Sequence, residues 1–183
     1  MEEKPGMVGL IAFTRLPKDG LVALLQRRGE FDDQKMTDET RPGICQTTVW
    51  GHQEKGETLE AALYREIAEE VDLSWSLQFH MDLLGSLRNT CVIECTDGAD
   101  GNPSRLVIAW MIPPEKIKSM RFHPATGGLK RITEDRLANI EDALKFDKTE
   151  GVIDRRVIAM FPDSKAALIK AFAWAKSQPN PES

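Results

Sequence analysis

Apolar and polar positions fall into short blocks along this chain. Met7 to Thr14 (MVGLIAFT) and Leu21 to Gln26 (LVALLQ) are two runs rich in strand formers. Pro17-Lys18-Asp19-Gly20 separates them in an order that favours a turn, so the pair predicts a β-hairpin. Residues 29–43 (GEFDDQKMTDETRPG) are polar and aperiodic. Loops of that length are uncommon unless functional or mobile, and a substrate lid is one role open to this one. Ile44 to Trp50 (ICQTTVW) predicts a strand that runs straight into Gly51.

Thr58 is placed to cap a helix reaching about Val71, with Leu63, Ile67 and Val71 at four-residue spacing as its buried stripe. Two strands come next, over residues 82–95 and 104–112, joined by the turn-rich Thr96 to Pro103. Residues 113–129 carry three prolines and two glycines and predict loop. Lys130 to Ile132 predicts a short strand, and Glu134 to Leu144 a helix. Asp163 to Lys176 predicts the clearest late helix, capped by Asp163 or Ser164. Strands and helices mix without regular βαβ alternation. The fold class expected is α/β of the α+β type, a mixed central sheet flanked by helices. One domain over residues 1–183 is expected, with flexible ends at 1–6 and 178–183.

Composition narrows the function classes. The net charge of −5 argues against nucleic acid or an anionic membrane as partner, so an anionic substrate needs a metal or clustered arginines. The three cysteines, Cys45, Cys91 and Cys95, are odd in number and predict buried, reduced thiols rather than disulfides. MEEKPG has no long apolar core behind it, so no signal peptide is expected. No apolar run approaches the roughly 20 residues of a membrane span. A cytoplasmic location is the expectation, and a homodimer is compatible with the sequence.

The chemistry concentrates in Gly51 to Leu73 (GHQEKGETLEAALYREIAEEVDL). At about 100° per residue, Glu66, Glu69 and Glu70 fall within an arc of about 100° that flanks the apolar stripe. The helix therefore buries Leu63 and Ile67 while holding three carboxylates at the rim of the core. Like charges so placed repel, and a cation reverses the sign of that term; Mg²⁺ takes oxygen ligands and shares its shell with substrate phosphates. Glutamate pairs are common on solvated helix faces, so the cluster alone decides little. The wider spacing does decide: Gly51, Glu57, Arg65, Glu66, Glu69 and Glu70 together match a fixed pattern that chance yields at about 10⁻⁷ per start.

These residues resemble the Nudix box, G-x5-E-x7-R-E-U-x-E-E-x-G-U, over residues 51–73. The resemblance implies a Nudix-like α/β/α sandwich with a loop–helix–loop catalytic motif. Gln26-Arg27-Arg28 also looks like the family's usual strand ending. By this resemblance Glu66, Glu69 and Glu70 carry Mg²⁺ or Mn²⁺, and the carbonyl of Trp50, just ahead of the box glycine, adds a ligand. Arg65 pairs with a box carboxylate and orients it, and Glu57 supports the motif and pairs with Arg65. Asp72 departs from the family, which has glycine there. Glycine suits a left-handed cap that Asp tolerates less freely, so some loss of stability or a shifted helix end is expected.

The implied reaction is hydrolysis of a phosphoanhydride in a nucleoside diphosphate linked to another group, a nucleotide-type small molecule. Glu66 is the first candidate base; Glu115, His123 and Glu134 are candidates outside the box. Arg27 and Arg28 are candidate phosphate ligands, though a solvated pair at a strand exit fits equally. Trp110 is expected in the core rather than stacked on a base. Two other readings stay open: a non-catalytic nucleotide-binding module of the same fold, and an isoprenoid diphosphate isomerase, for which Cys45 is the nearest cysteine.

Overall fold

The hairpin predicted at the N-terminus organises the sheet. The computed structural model describes residues 5–32, 36–85, 89–98, 102–122, 126–146 and 153–179. Strand β1 (Met7–Leu16) turns at Gly20 into β2 (Gly20–Arg27), antiparallel. Within the polar 29–43 stretch, β3 (Phe31–Asp32) and β4 (Thr37–Asp38) pair as a small separate ribbon. Next come β5 (Cys45–Gln46) and β6 (Val49–His52), then helices α1 (Leu59–Glu70) and α2 (Leu73–Gly85). Strands β7 (Thr90–Thr96) and β8 (Arg105–Met111) precede one helical turn, α3 (Pro114–Ile117). The chain continues through β9 (Leu129–Thr133), a 3-10 segment (Glu134–Asn139), β10 (Glu141–Asp142), a 3-10 turn (Ala143–Lys145) and β11 (Ala159–Met160). Helix α4 (Pro162–Ser177) closes it.

The main sheet runs β5-β2-β1-β8-β7, with β6 also on β1 and β9 also on β2. Only β1 and β8 are parallel, with Met7 opposite Arg105 and Phe13 opposite Met111; the other pairings in this sheet are antiparallel. Side chains alternate across β1. Val8, Leu10 and Ala12 pack with Leu63, Ile67, Trp75 and Phe79 of α1 and α2. Ile11 and Phe13 pack with Leu168 and Phe172 of α4 on the other face. Both faces are covered, which is why β1 reads as an unbroken apolar run. Among the described residues no helix is long and apolar enough to cross a membrane.

The structure corrects several expectations. The strand expected over 82–95 begins only at Thr90, because Asp82 and Leu83 belong to α2. Leu73, Trp75, Leu77, Phe79, Met81 and Leu83 alternate with other residues as a strand would. The helix splits this alternation into two stripes: Trp75 and Phe79 are buried, while Leu73, Leu77 and Met81 are exposed. The strand expected over 44–50 is interrupted at Thr47-Thr48. There the Thr48 hydroxyl accepts from the Ala12 N–H at 2.8 Å and donates to the Leu24 carbonyl, joining the two hairpin strands. Helix 134–144 is instead two 3-10 pieces around a short strand. Helix α4 starts one residue early at Pro162, and its N-cap, Phe161, supplies no side-chain bond. Proline at the first position sets that start without needing Asp163 or Ser164 as cap. Of the cysteines only Cys45 is buried; Cys91 is half-buried and Cys95 exposed, on an edge strand with a register shift between Val92 and Glu94.

Helix α1 matches the expectation, with the Thr58 hydroxyl accepting from the Ala61 N–H at 3.1 Å. Thr58→Ala removes that cap, worth about 1 kcal/mol. A fall in melting temperature of about 2–4 °C is expected for a domain of this size. Thr58→Ser keeps the bond, and its melting curve by circular dichroism should overlay the wild type.

Candidate metal and phosphate site

Position 51 has no space for a side chain. A Cβ there would lie 1.9 Å from the Glu66 carboxyl carbon and 2.0 Å from its Oε1. Glycine lets α1 close on β6 until Glu66 Oε1 accepts the His52 N–H at 3.2 Å. One turn on, Glu70 Oε2 accepts the Trp50 N–H at 3.2 Å. Two carboxylates of α1 thus clip onto the backbone either side of Gly51.

Arg65 draws the other members together. Its Nε and Nη2 donate to the two oxygens of Glu57 at 3.2 and 3.1 Å. Nη1 donates to Glu66 at 2.9 Å and Glu69 at 3.2 Å, and Nη2 also reaches the His52 carbonyl at 2.8 Å. Glu57 in turn accepts the Glu54 N–H at 3.0 Å, tightening the loop before α1. The expected Arg65–Glu57 pair is therefore present.

One guanidinium bonds three carboxylates and leaves Glu70 to the Trp50 N–H, and the balance shows in their protonation. The Arg65 hydrogen bonds hold Glu57 below the usual carboxylate range. Burial pushes Glu66 up, against the opposing pull of Arg65. Burial raises Glu70 to about 8; Glu66 and Glu69 add to the rise, while the Trp50 N–H and the charge of Arg28 oppose it. Among the described residues no three acidic, His or Cys groups converge as a preformed ligand cluster; Arg65 bonds Glu66 and Glu69, and Glu70 accepts from Trp50. The donor set still fits a hard divalent cation. It offers oxygen alone, and its negative charge exceeds what Arg65 returns.

The arginines after β2 part company. Arg28 lies near enough to act on Glu70, and donates to Gln46 at 3.1 Å and to Glu39 at 2.8 Å. Glu39 belongs to the polar 29–43 stretch, so that stretch is tied to the site. Arg27 is 5% exposed and donates to the Ile153 carbonyl at 2.9 Å, on the α4 side of the sheet. The outlying base candidates stay apart. Glu115 is exposed in α3. Glu134 pairs with Lys176 at 3.0 Å, in the last turn of α4. His123 lies outside the described residues. Trp110 is core, edge-on to Trp75 and Phe79, with its indole N–H on Asp82 at 2.8 Å.

Asp72 does not take the left-handed conformation expected of the family glycine. The N–H groups of Val71 and Asp72 both bond the Ile67 carbonyl, at 3.0 and 3.1 Å, and end α1 without it. The Asp72 carboxylate accepts the Ser74 N–H at 2.7 Å and opens α2; the Ser74 side chain and, after it, this backbone bond lower its pKa. Sequence reasoning missed Arg105, whose guanidinium sits over Trp50. Its signal was an arginine heading an otherwise apolar strand.

A scan against family models and a search of curated proteins find no match. Solved structures do match. A MutT/Nudix family protein from Listeria innocua aligns with TM-score 0.55 at 16% identity over 96% of each chain. Another from Enterococcus faecalis aligns with TM-score 0.53 at 16% identity over 96% of this chain and 64% of that one. The chain has the fold of MutT/Nudix proteins.

Glu70 generates a pH test. Its folded pKa, about 8, exceeds the ordinary carboxyl value of 4.5, so its stability contribution is complete below that value and is lost as pH rises toward 8. Metal-free protein is expected to melt lower at pH 8 than at pH 6, and Glu70→Gln to flatten that slope. A cation bound at Glu70 would compete with the proton, so thermal stabilisation by Mg²⁺ would grow over the same range. An unchanged slope in Glu70→Gln by calorimetry would refute the assignment.

Proposed function

We propose that this chain is a divalent-metal-dependent Nudix hydrolase, cleaving a phosphoanhydride in a nucleoside diphosphate linked to another group. The observation that carries the reading is the packing of Glu66 onto Gly51, with Glu70 one turn on. It holds two acidic groups of the box in partly desolvated positions where their own ionisation is disfavoured. Carboxylates with ionisation disfavoured in this way cluster at functional sites.

Glu66, Glu69, Glu70 and the Trp50 carbonyl are the proposed ligands of Mg²⁺ or Mn²⁺. When bound, the metal supplies charge neutralisation and lowers the pKa of water. The protein's own groups divide the remaining work. Arg65 and Glu57 orient Glu66 and Glu69. Arg28, held by Glu39 and Gln46 beside Glu70, is the proposed phosphate ligand. Arg27, committed to the Ile153 carbonyl, is better placed to anchor that segment. Glu66 is the first candidate base, already beside the box backbone. Cys45 argues against the isomerase reading: it is buried, and burial raises its thiol to about 11.

The test is product analysis on a panel of nucleoside diphosphate derivatives, with and without Mg²⁺ or Mn²⁺. Metal-dependent release is expected, with Glu69→Gln and Glu70→Gln lowering kcat at least about 10²-fold. Arg28→Ala should raise KM about tenfold with less effect on kcat. Nucleotide binding retained in EDTA, without turnover on any substrate, would replace the enzyme by a binding module.

A further inference from the structure

Arg105 opens β8 and is 6% exposed, a charge inside the sheet's α4 face. Its Nη1 donates to Asp163 in the first turn of α4, and its Nε stands 3.5 Å from Glu94 of β7. Its guanidinium lies 5.1 Å from the Trp50 ring centre. Nε and Nη2 are buried without hydrogen-bond partners, so the ion pairs and the indole face carry the group.

Trp50 reaches Arg105 across β1. Gly9 stands opposite Trp50 in the ladder, and a Cβ at Gly9 would come within 2.8 Å of the indole. The indole therefore passes from β6 over Gly9 to the β8 side. The peptide that carries it donates to Glu70 on the opposite face of the sheet. Strand β6 pairs with β1 through Val49 to His52, so the Trp50 peptide lies in the middle of that short ladder.

We infer that Arg105 is a positioning residue for the carboxylate site, acting through Trp50. Asp163 and Glu94 fix the guanidinium, the guanidinium fixes the indole, and the indole fixes the Trp50 peptide that holds Glu70. The first turn of α4 is thereby coupled to the carboxylates of α1 across the sheet. This inference rests on the metal-site reading above.

The test measures Mn²⁺ binding to metal-free protein by electron paramagnetic resonance. It is run at a temperature where circular dichroism shows each variant fully folded. Arg105→Met should weaken binding about tenfold, and Arg105→Lys should recover part of the loss. Trp50→Ala should weaken binding as much, and the double variant no more than Trp50→Ala alone, because the two act in series. If Arg105→Met fails to fold, Asp163→Asn removes the anchor more gently and should weaken binding about threefold. Unchanged Mn²⁺ affinity with only a lower melting temperature would overturn the positioning role, as would full additivity with Trp50→Ala. Wild type that binds no Mn²⁺ would instead overturn the metal reading, and this inference with it.

Discussion

Two objects meet at Gly51 with no Cβ between them: the backbone of β6 and the carboxylate of Glu66. Any side chain at 51 would displace the Glu66 carboxylate. The His52 N–H would then lose its acceptor, while Leu63 and Ile67 hold α1 on Val8, Leu10 and Val49. Burying those two side chains stabilises the fold by roughly 3–6 kcal/mol together. Repulsion among like charges at helical spacing amounts to about 0.2–0.5 kcal/mol per pair where they are exposed; burial adds a larger cost to the ionised forms of Glu66 and Glu70. The apolar stripe carries the carboxylates into a place they would not choose alone, and Glu70 meets part of that cost by keeping its proton.

Their discomfort is only partly relieved. Arg65 satisfies Glu57 through two bonds and bridges Glu66 to Glu69. Glu70 receives a backbone N–H and the more distant charge of Arg28. The site is thus rigid in position and unsatisfied in charge. Rigidity comes from β6, α1 and the Glu57 loop; the charge deficit is what a divalent cation would fill.

Legibility tracked the range of each interaction. Helix α1 could be read because its cap, stripe and carboxylates all lie within fifteen residues. The hairpin could be read because its turn is local. Helix α2 was obscured by alternating apolar residues, and only docking against Trp110 shows which stripe is buried. The break in the strand after Ile44 depends on a Thr48 hydroxyl bonding two strands far away in sequence. The partners of Arg105 come from three other elements, so no local window contains them.

Asp72 shows how a departure from a motif can be consistent with its surroundings. Glycine at the end of a box helix serves a chain that turns away in a left-handed conformation. Here the next helix begins at once, at Leu73. The position must end one helix and start another, and a carboxylate that caps Ser74 does the second task directly. Helix α2 then brings Trp75 and Phe79 onto Trp110 and covers the sheet beside α1. The substitution leaves every proposed ligand in place because it acts past the last carboxylate of α1. It redirects the chain into α2 while Glu66, Glu69 and Glu70 keep their partners.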